Sequence, residues 1–149
     1  MPRITEIEQA IVSRLSGALP YLRACCSLAE FLGRDAREVE ELAILCPAVY
    51  VIYRQGKFSR KLSGAQDREM TFGVVVVVRN LRGDAAVRHG APGEKGVYEV
   101  LEDVRAALSD QSCGVEIDPF APVSEHSIAG TRNFAVYEIL FKTRCRFIL

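Results

Sequence analysis

The sequence predicts an α+β domain, a mainly antiparallel mixed sheet with two or three helices packed on one face. Three observations lead there. Residues 72–78 hold five consecutive valines, a run without alternation that reads as a strand buried on both faces. Val97, Val100, Leu101, Val104 and Leu108 recur at helical spacing just after a glycine-rich loop. Residues 134–149 alternate in the manner of a long strand. Strands grouped in pairs with helices between them favour antiparallel pairing, with the helices gathered on one face. A chain of 149 residues, 49% of them hydrophobic, fits a single domain that buries its own core without disulfides or metals.

The elements follow in order. Thr5 and Glu8 have the spacing of a capping box, and Ile7, Ile11 and Leu15 lay down one apolar stripe that Gly17 and Pro20 close. Residues 21–31 are ambiguous, with a short strand over 21–26 as one reading. A second short helix is expected from Asp35, with Val39, Leu42 and Ala43 as its buried stripe, and Pro47 breaks it. Residues 48–53 read as a buried strand. Residues 54–68 are polar and basic, so they form a loop or an exposed hairpin arm. After the valine strand, residues 82–96 are a loop rich in glycine, and the amphipathic helix from Val97 follows. Val115-Glu116-Ile117 begins the next strand, made irregular by Pro119 and Pro122. In the last strand Ala135, Tyr137, Ile139, Phe141, Thr143 and Cys145 share a core face. Glu138, Lys142, Arg144 and Arg146 mark a partly wet one, and the strand is long enough to overhang its neighbours.

Little in the sequence is fitted for catalysis. The two histidines, His89 and His126, stand apart from any nucleophile pattern, and both read as surface residues. The five cysteines contain no CxxC pair and read as reduced thiols. No paired Cys or His spacing suits a metal. The loop 90–96 invites a phosphate reading, yet it lacks the lysine and hydroxyl pattern of such loops and carries Glu94. The expectation is therefore no enzyme, no cofactor, no metal and no small-molecule substrate. The longest apolar run is too short to cross a bilayer, and no secretory leader or membrane contact is expected.

Charge is more telling. The formal net charge is zero, which argues against a dedicated nucleic-acid binder. Residues 54–95 nevertheless hold nine Lys or Arg against four acids, and the flanking segments are acidic. Basic loops facing acidic surfaces of another copy would set the register of an assembly. The candidate subunit-interface residues are Lys57, Arg60, Lys61, Arg68, Arg88, Arg144 and Arg146. The end of the last strand, residues 143–149, is a candidate edge for pairing with a neighbour. The alternative is a nucleic-acid-associated module that uses the basic loops 54–95, with few aromatics nearby to stack bases.

Several stretches together resemble the tail-terminator-type proteins of Mu-like phages and prophages. They are the Ile-x-x-Ile-x-x-Ala-Ile helix at 4–11, Cys-Pro-Ala-Val-Tyr-Val at 46–51 and Val-Arg-Asn-Leu-Arg at 78–82. Gly-Val-Tyr-Glu-Val-Leu-Glu-Asp-Val-Arg at 96–105 and Tyr-Glu-Ile-Leu-Phe at 137–141 complete the match. The resemblance spans nearly the whole chain and implies a structural protein that caps the tail tube as a homo-oligomeric ring, commonly a hexamer. It further implies tail-tube and head-connector proteins as partners, with assembly in the bacterial cytoplasm and a final place in the virion tail.

Overall fold

β-Branched side chains on both faces of a strand need cover on both sides, and the valine run has it: Val74, Val75, Val76, Val77 and Val78 are at most 2% exposed. In the computed structural model, which describes residues 2–28 and 45–148, they lie in the middle strand of a five-stranded sheet. The described elements are α1 (Ile4–Ala18), β1 (Ala24–Ser27), β2 (Ala48–Arg60), β3 (Ala65–Arg79), α2 (Asp84–His89), α3 (Val97–Leu108), β4 (Ala121–Gly130) and β5 (Phe134–Ile148). The strand order is β1-β2-β3-β5-β4, with β1 parallel to β2 and the remaining pairs antiparallel. This is the α+β mixed sheet that the sequence predicts.

The larger core lies on the helix face. Ile7, Ile11 and Leu15 of α1 and Val97, Val100, Val104 and Leu108 of α3 meet Val49, Val51, Phe72, Val74 and Val76 of the sheet. Edge-to-face packing of Phe72 on Phe120, with ring centroids 6.2 Å apart, extends this core along the sheet. A second cluster on the opposite face joins Tyr50, Ile52, Val75, Val77, Phe134 and Val136.

The structure corrects several boundaries. The first helix starts at Ile4, so Arg3 is the N-cap and Glu6, rather than Glu8, reaches back to the cap amide (3.4 Å). Burial holds the Glu8 carboxyl above its usual range, against the lowering effect of the Tyr53 backbone beside it. Within the described part of the ambiguous stretch, residues 24–27 form the short strand β1, and the predicted helix from Asp35 lies outside the described residues. Residues 54–68 take the hairpin alternative, since β2 continues to Arg60 and β3 starts at Ala65. The glycine-rich loop contains α2, which buries only Val87 and so leaves no periodic apolar signal to read. Val115, Glu116 and Ile117 form turns instead of a strand, and β4 starts at Ala121. An edge strand exposed along most of its length has no buried face to write an alternation, which is why its start was misplaced. The last strand overhangs one neighbour and not the other: β3 pairs with it as far as Ile148, whereas β4 pairs with it only as far as Lys142.

Candidate assembly surface

Past the register shift between Tyr53 and Gln55, burial along β2 falls from complete at its start to exposed at its end. Residues 55–60, 65–71 and 142–148 make a three-stranded arm. A turn closes its tip, with Lys61 N donating to Ala65 O (2.8 Å) and Gly64 in the left-handed region at φ 83°. The strand period of two sorts the arm's side chains onto two faces.

One face is a lattice of charges. Register puts Lys57, Glu69 and Arg144 in one row and Ser59, Asp67 and Arg146 in the next. Asp67 is only 3% exposed and gathers three cations: Arg146 Nε at 2.9 Å, Lys61 Nζ at 3.3 Å and Arg144 at 3.7 Å. The Arg146 hydrogen bond holds its carboxyl below the usual aspartate range, against the opposing pull of burial. Arg144 also bridges to Asp118 (3.1 Å), and Lys142 to Glu69 (3.3 Å). The other face carries Phe58, 63% exposed, with the Arg68 guanidinium stacked 5.2 Å from its ring centroid. Leu62 stands fully exposed at the tip. Lys57 and Arg60 have no ion-pair partner among the described residues.

Six of the seven predicted interface residues therefore meet on this arm: Lys57, Arg60, Lys61, Arg68, Arg144 and Arg146. Arg88 does not join them. It lies in α2, paired with Asp84 one turn away (2.8 Å) and close to Tyr98, near the Tyr137 end of β5. Sequence reasoning had no means to place Asp67 at the centre, because its partners come from a turn and from a strand almost eighty residues on.

A second polar cluster went unread in the sequence. Glu138, assigned above to a wet face, is 3% exposed. Arg54 grips its Oε2 from Nε (2.8 Å) and Nη2 (2.6 Å), and His126 Nε2 stands 3.2 Å from Oε1. Gly73 makes the room, since a Cβ there would collide with this carboxylate. The cluster joins the root of the arm to the edge strand β4; His126 is exposed, as the sequence predicts, and its ring faces the Glu138 carboxylate.

The remaining polar groups are engaged in holding loops. Asn80, 6% exposed, donates to Glu94 (2.5 Å) and accepts from Arg82 N (3.0 Å), which fastens the glycine-rich loop. Glu99 occupies the start of α3 by accepting from Gly96 N (3.3 Å), where an anion would otherwise sit. At Gly96 a Cβ would strike the Arg88 carbonyl, so the loop's glycines serve close backbone approach. Tyr21 donates to Asp103 (2.5 Å), and burial together with that carboxylate pushes its hydroxyl pKa upward. His89 packs edge-on to Tyr98 at 5.6 Å. The five cysteines are all free thiols, Cys145 buried and Cys26 exposed; desolvation pushes the Cys46 thiol up to about 12. Among the described residues no three His, Cys, Asp or Glu side chains cluster as metal ligands do, and no helix is long and apolar enough to cross a membrane.

No curated protein matches the chain. A family model does, that described as "Bacteriophage Mu, Gp37", over residues 3–146. The match covers the whole sheet except the end of β5, together with every described helix. The chain accordingly belongs to the bacteriophage Mu Gp37 family.

Proposed function

We propose that this phage-family protein is a structural component of the tail, one that caps the tail tube as a homo-oligomeric ring and joins it to the head connector. The observation that carries the reading is the arm. It is a three-stranded extension whose β2 strand and tip are exposed, apolar at Phe58 and Leu62, and on which six cations that the sequence marked for assembly converge. Surfaces of this composition, aromatic and arginine-rich with charge around them, suit protein contacts. Membership of a Mu phage family supplies the setting.

Absolute mass by light scattering across a concentration series tests the proposal. The expected result is a ring-sized species, or a monomer that converts to one as concentration rises. Incubation with tail tubes of the parent phage extends the test, and the ring should appear at tube ends in electron micrographs. Tubes that elongate past their set length with the protein present would overturn the capping role.

One feature favours a second reading. The arm residues 55–71 and 142–148 hold seven Lys or Arg against two acids, with an exposed aromatic among them, as in a single-strand binder. A gel shift whose affinity falls steeply with salt would move the assignment to nucleic acid.

A further inference from the structure

The end of the sheet opposite the arm carries a second group of cations. β3 runs from the arm to Arg79, and the starts of β1 and β2 lie at that same end, where Ala24 pairs with Ala48 and Ala48 with Val77. Arg23 precedes β1 and is fixed there by its backbone amide, which donates to the Pro47 carbonyl (2.8 Å). The turn after β3 adds Arg82. Arg23, Arg79 and Arg82 line one hollow of about 330 Å³, with Cys46 in its wall. Both Arg79 and Arg23 act on the Cys46 thiol, favouring its charged form against the larger opposing effect of burial, so the two charges converge on one spot.

The carboxylate that lines this hollow, Glu94, is already engaged. One oxygen accepts from the Asn80 side-chain amide (2.5 Å), and the other stands 3.8 Å from Arg82. Arg23 and Arg79 are exposed and have no ion-pair partner among the described residues. Like charges gathered without a counter-charge repel, so an arriving anion relieves that repulsion as well as accepting charge-assisted hydrogen bonds. The rim is held in shape before anything binds. Asn80 accepts from the Arg82 amide (3.0 Å), and its own backbone amide donates to the Asn133 carbonyl (2.8 Å). That turn leaves Leu81 74% exposed, and Leu45, next to Cys46, is 48% exposed.

Guanidinium groups suit a carboxylate or a phosphate equally. The leucines separate the two, because a phosphate offers them nothing apolar to meet, whereas a protein segment can supply both kinds of contact. We infer that this hollow binds an acidic segment of a partner protein, with a carboxylate between Arg23 and Arg79 and an apolar neighbour over Leu81. The arm of a second copy is itself basic and is unsuited to this end. The inference goes beyond the ring reading, since a chain that never assembles would still bind such a segment.

A titration followed by the backbone amide resonances of the labelled protein tests it. The probes are a blocked hexapeptide alternating glutamate with leucine, the same peptide with glutamine for glutamate, inorganic phosphate, and an oligothymidylate. The glutamate peptide should shift the amides of Arg23, Arg79, Leu81 and Arg82 saturably, and the glutamine peptide should bind about tenfold more weakly or worse. Arg23→Gln/Arg79→Gln should cost about the same factor, and Leu81→Ser should weaken binding as well. Lys57→Gln/Arg60→Gln, which removes equal charge from the arm, should leave the affinity unchanged. The dispersion of each variant's spectrum reports that it folds.

Absence of shifts at these amides would overturn the inference. Equal binding of the glutamine peptide would deny the carboxylate, and an equal loss in the arm variant would deny the location. Oligothymidylate or inorganic phosphate shifting the same amides at lower concentration than the peptide would make the hollow a phosphate site and overturn it too. None of these outcomes bears on ring formation, which the mass measurement decides.

Discussion

Asp67 holds three cations of like charge at one spot, so its removal leaves them facing one another. Asp67→Asn should loosen the arm while the helix core stays intact. Hydrogen exchange should show faster amides at residues 57–60 and 65–68, with α3 unchanged; uniform protection throughout would deny Asp67 this role. The pH dependence has a definite sign. The folded carboxyl titrates below its unfolded value of about 3.9, because Arg146 and Lys61 favour its charged form. Its contribution is therefore complete above that unfolded value and is lost as pH falls through the lowered folded one. Arm exchange should accelerate in that acid window and not between neutrality and pH 5. Gly73 and Glu138 make a second case. Gly73→Ala drives a methyl into a buried carboxylate held by Arg54, and overpacking of this type costs about 1–3 kcal/mol. Chemical denaturation reads that loss directly, and an unchanged midpoint would mean that the cluster yields freely.

At the level of elements, α3 and the arm answer to opposite rules. α3 buries a full stripe, and Leu108 within it is 0% exposed. Leu108→Ala should cost about 2–5 kcal/mol of unfolding free energy, the transfer of its methyls plus the cavity left behind. Phe58→Ala should change stability by less than about 0.5 kcal/mol, as exposed positions do, yet weaken self-assembly. A thermal melt beside a light-scattering series separates the two effects. A large stability loss at Phe58 would make it a folding residue instead of a contact. The same contrast explains legibility. The apolar period of α3 marked the helix to its observed limits, because a stripe facing one core is written locally. β4, exposed along most of its length, and α2, with one buried residue, carry too little apolar pattern for their limits to be read.

Over the whole molecule, a net charge of zero conceals a basic arm and an acidic stretch from α3 to β4. Opposed charges of this kind steer encounter and register more than they add affinity. Assembly in solution should accordingly slow and weaken as ionic strength rises, since the screening length falls from about 10 Å at 0.1 M to about 3 Å at 1 M. Stopped-flow light scattering at several salt concentrations measures the rate. A rate indifferent to salt would assign recognition to Phe58 and Leu62 alone. Among the described residues the sheet also has open borders, including the outer side of β4, the part of β2 beyond β1 and the part of β5 beyond β4. β4 carries Pro122 and two register shifts, features that blunt pairing by a foreign strand.

Periodicity, residue type and charge count were enough to establish the α+β class, the valine strand, the main helix, the long last strand and the Mu-phage resemblance. All of these rest on local pattern, where burial on one or both faces leaves its mark every second or every third to fourth residue. The convergence of Lys61, Arg144 and Arg146 on Asp67 could not be read that way, nor could the burial of Glu138 beneath Arg54 and His126. Those contacts bring together residues far apart in the chain, and strand register determines them. A polar residue on a strand looks the same in sequence whether its carboxylate meets water or a guanidinium. Pairing across β2, β3, β5 and β4 turned a basic stretch into an arm and a charged residue into part of the core.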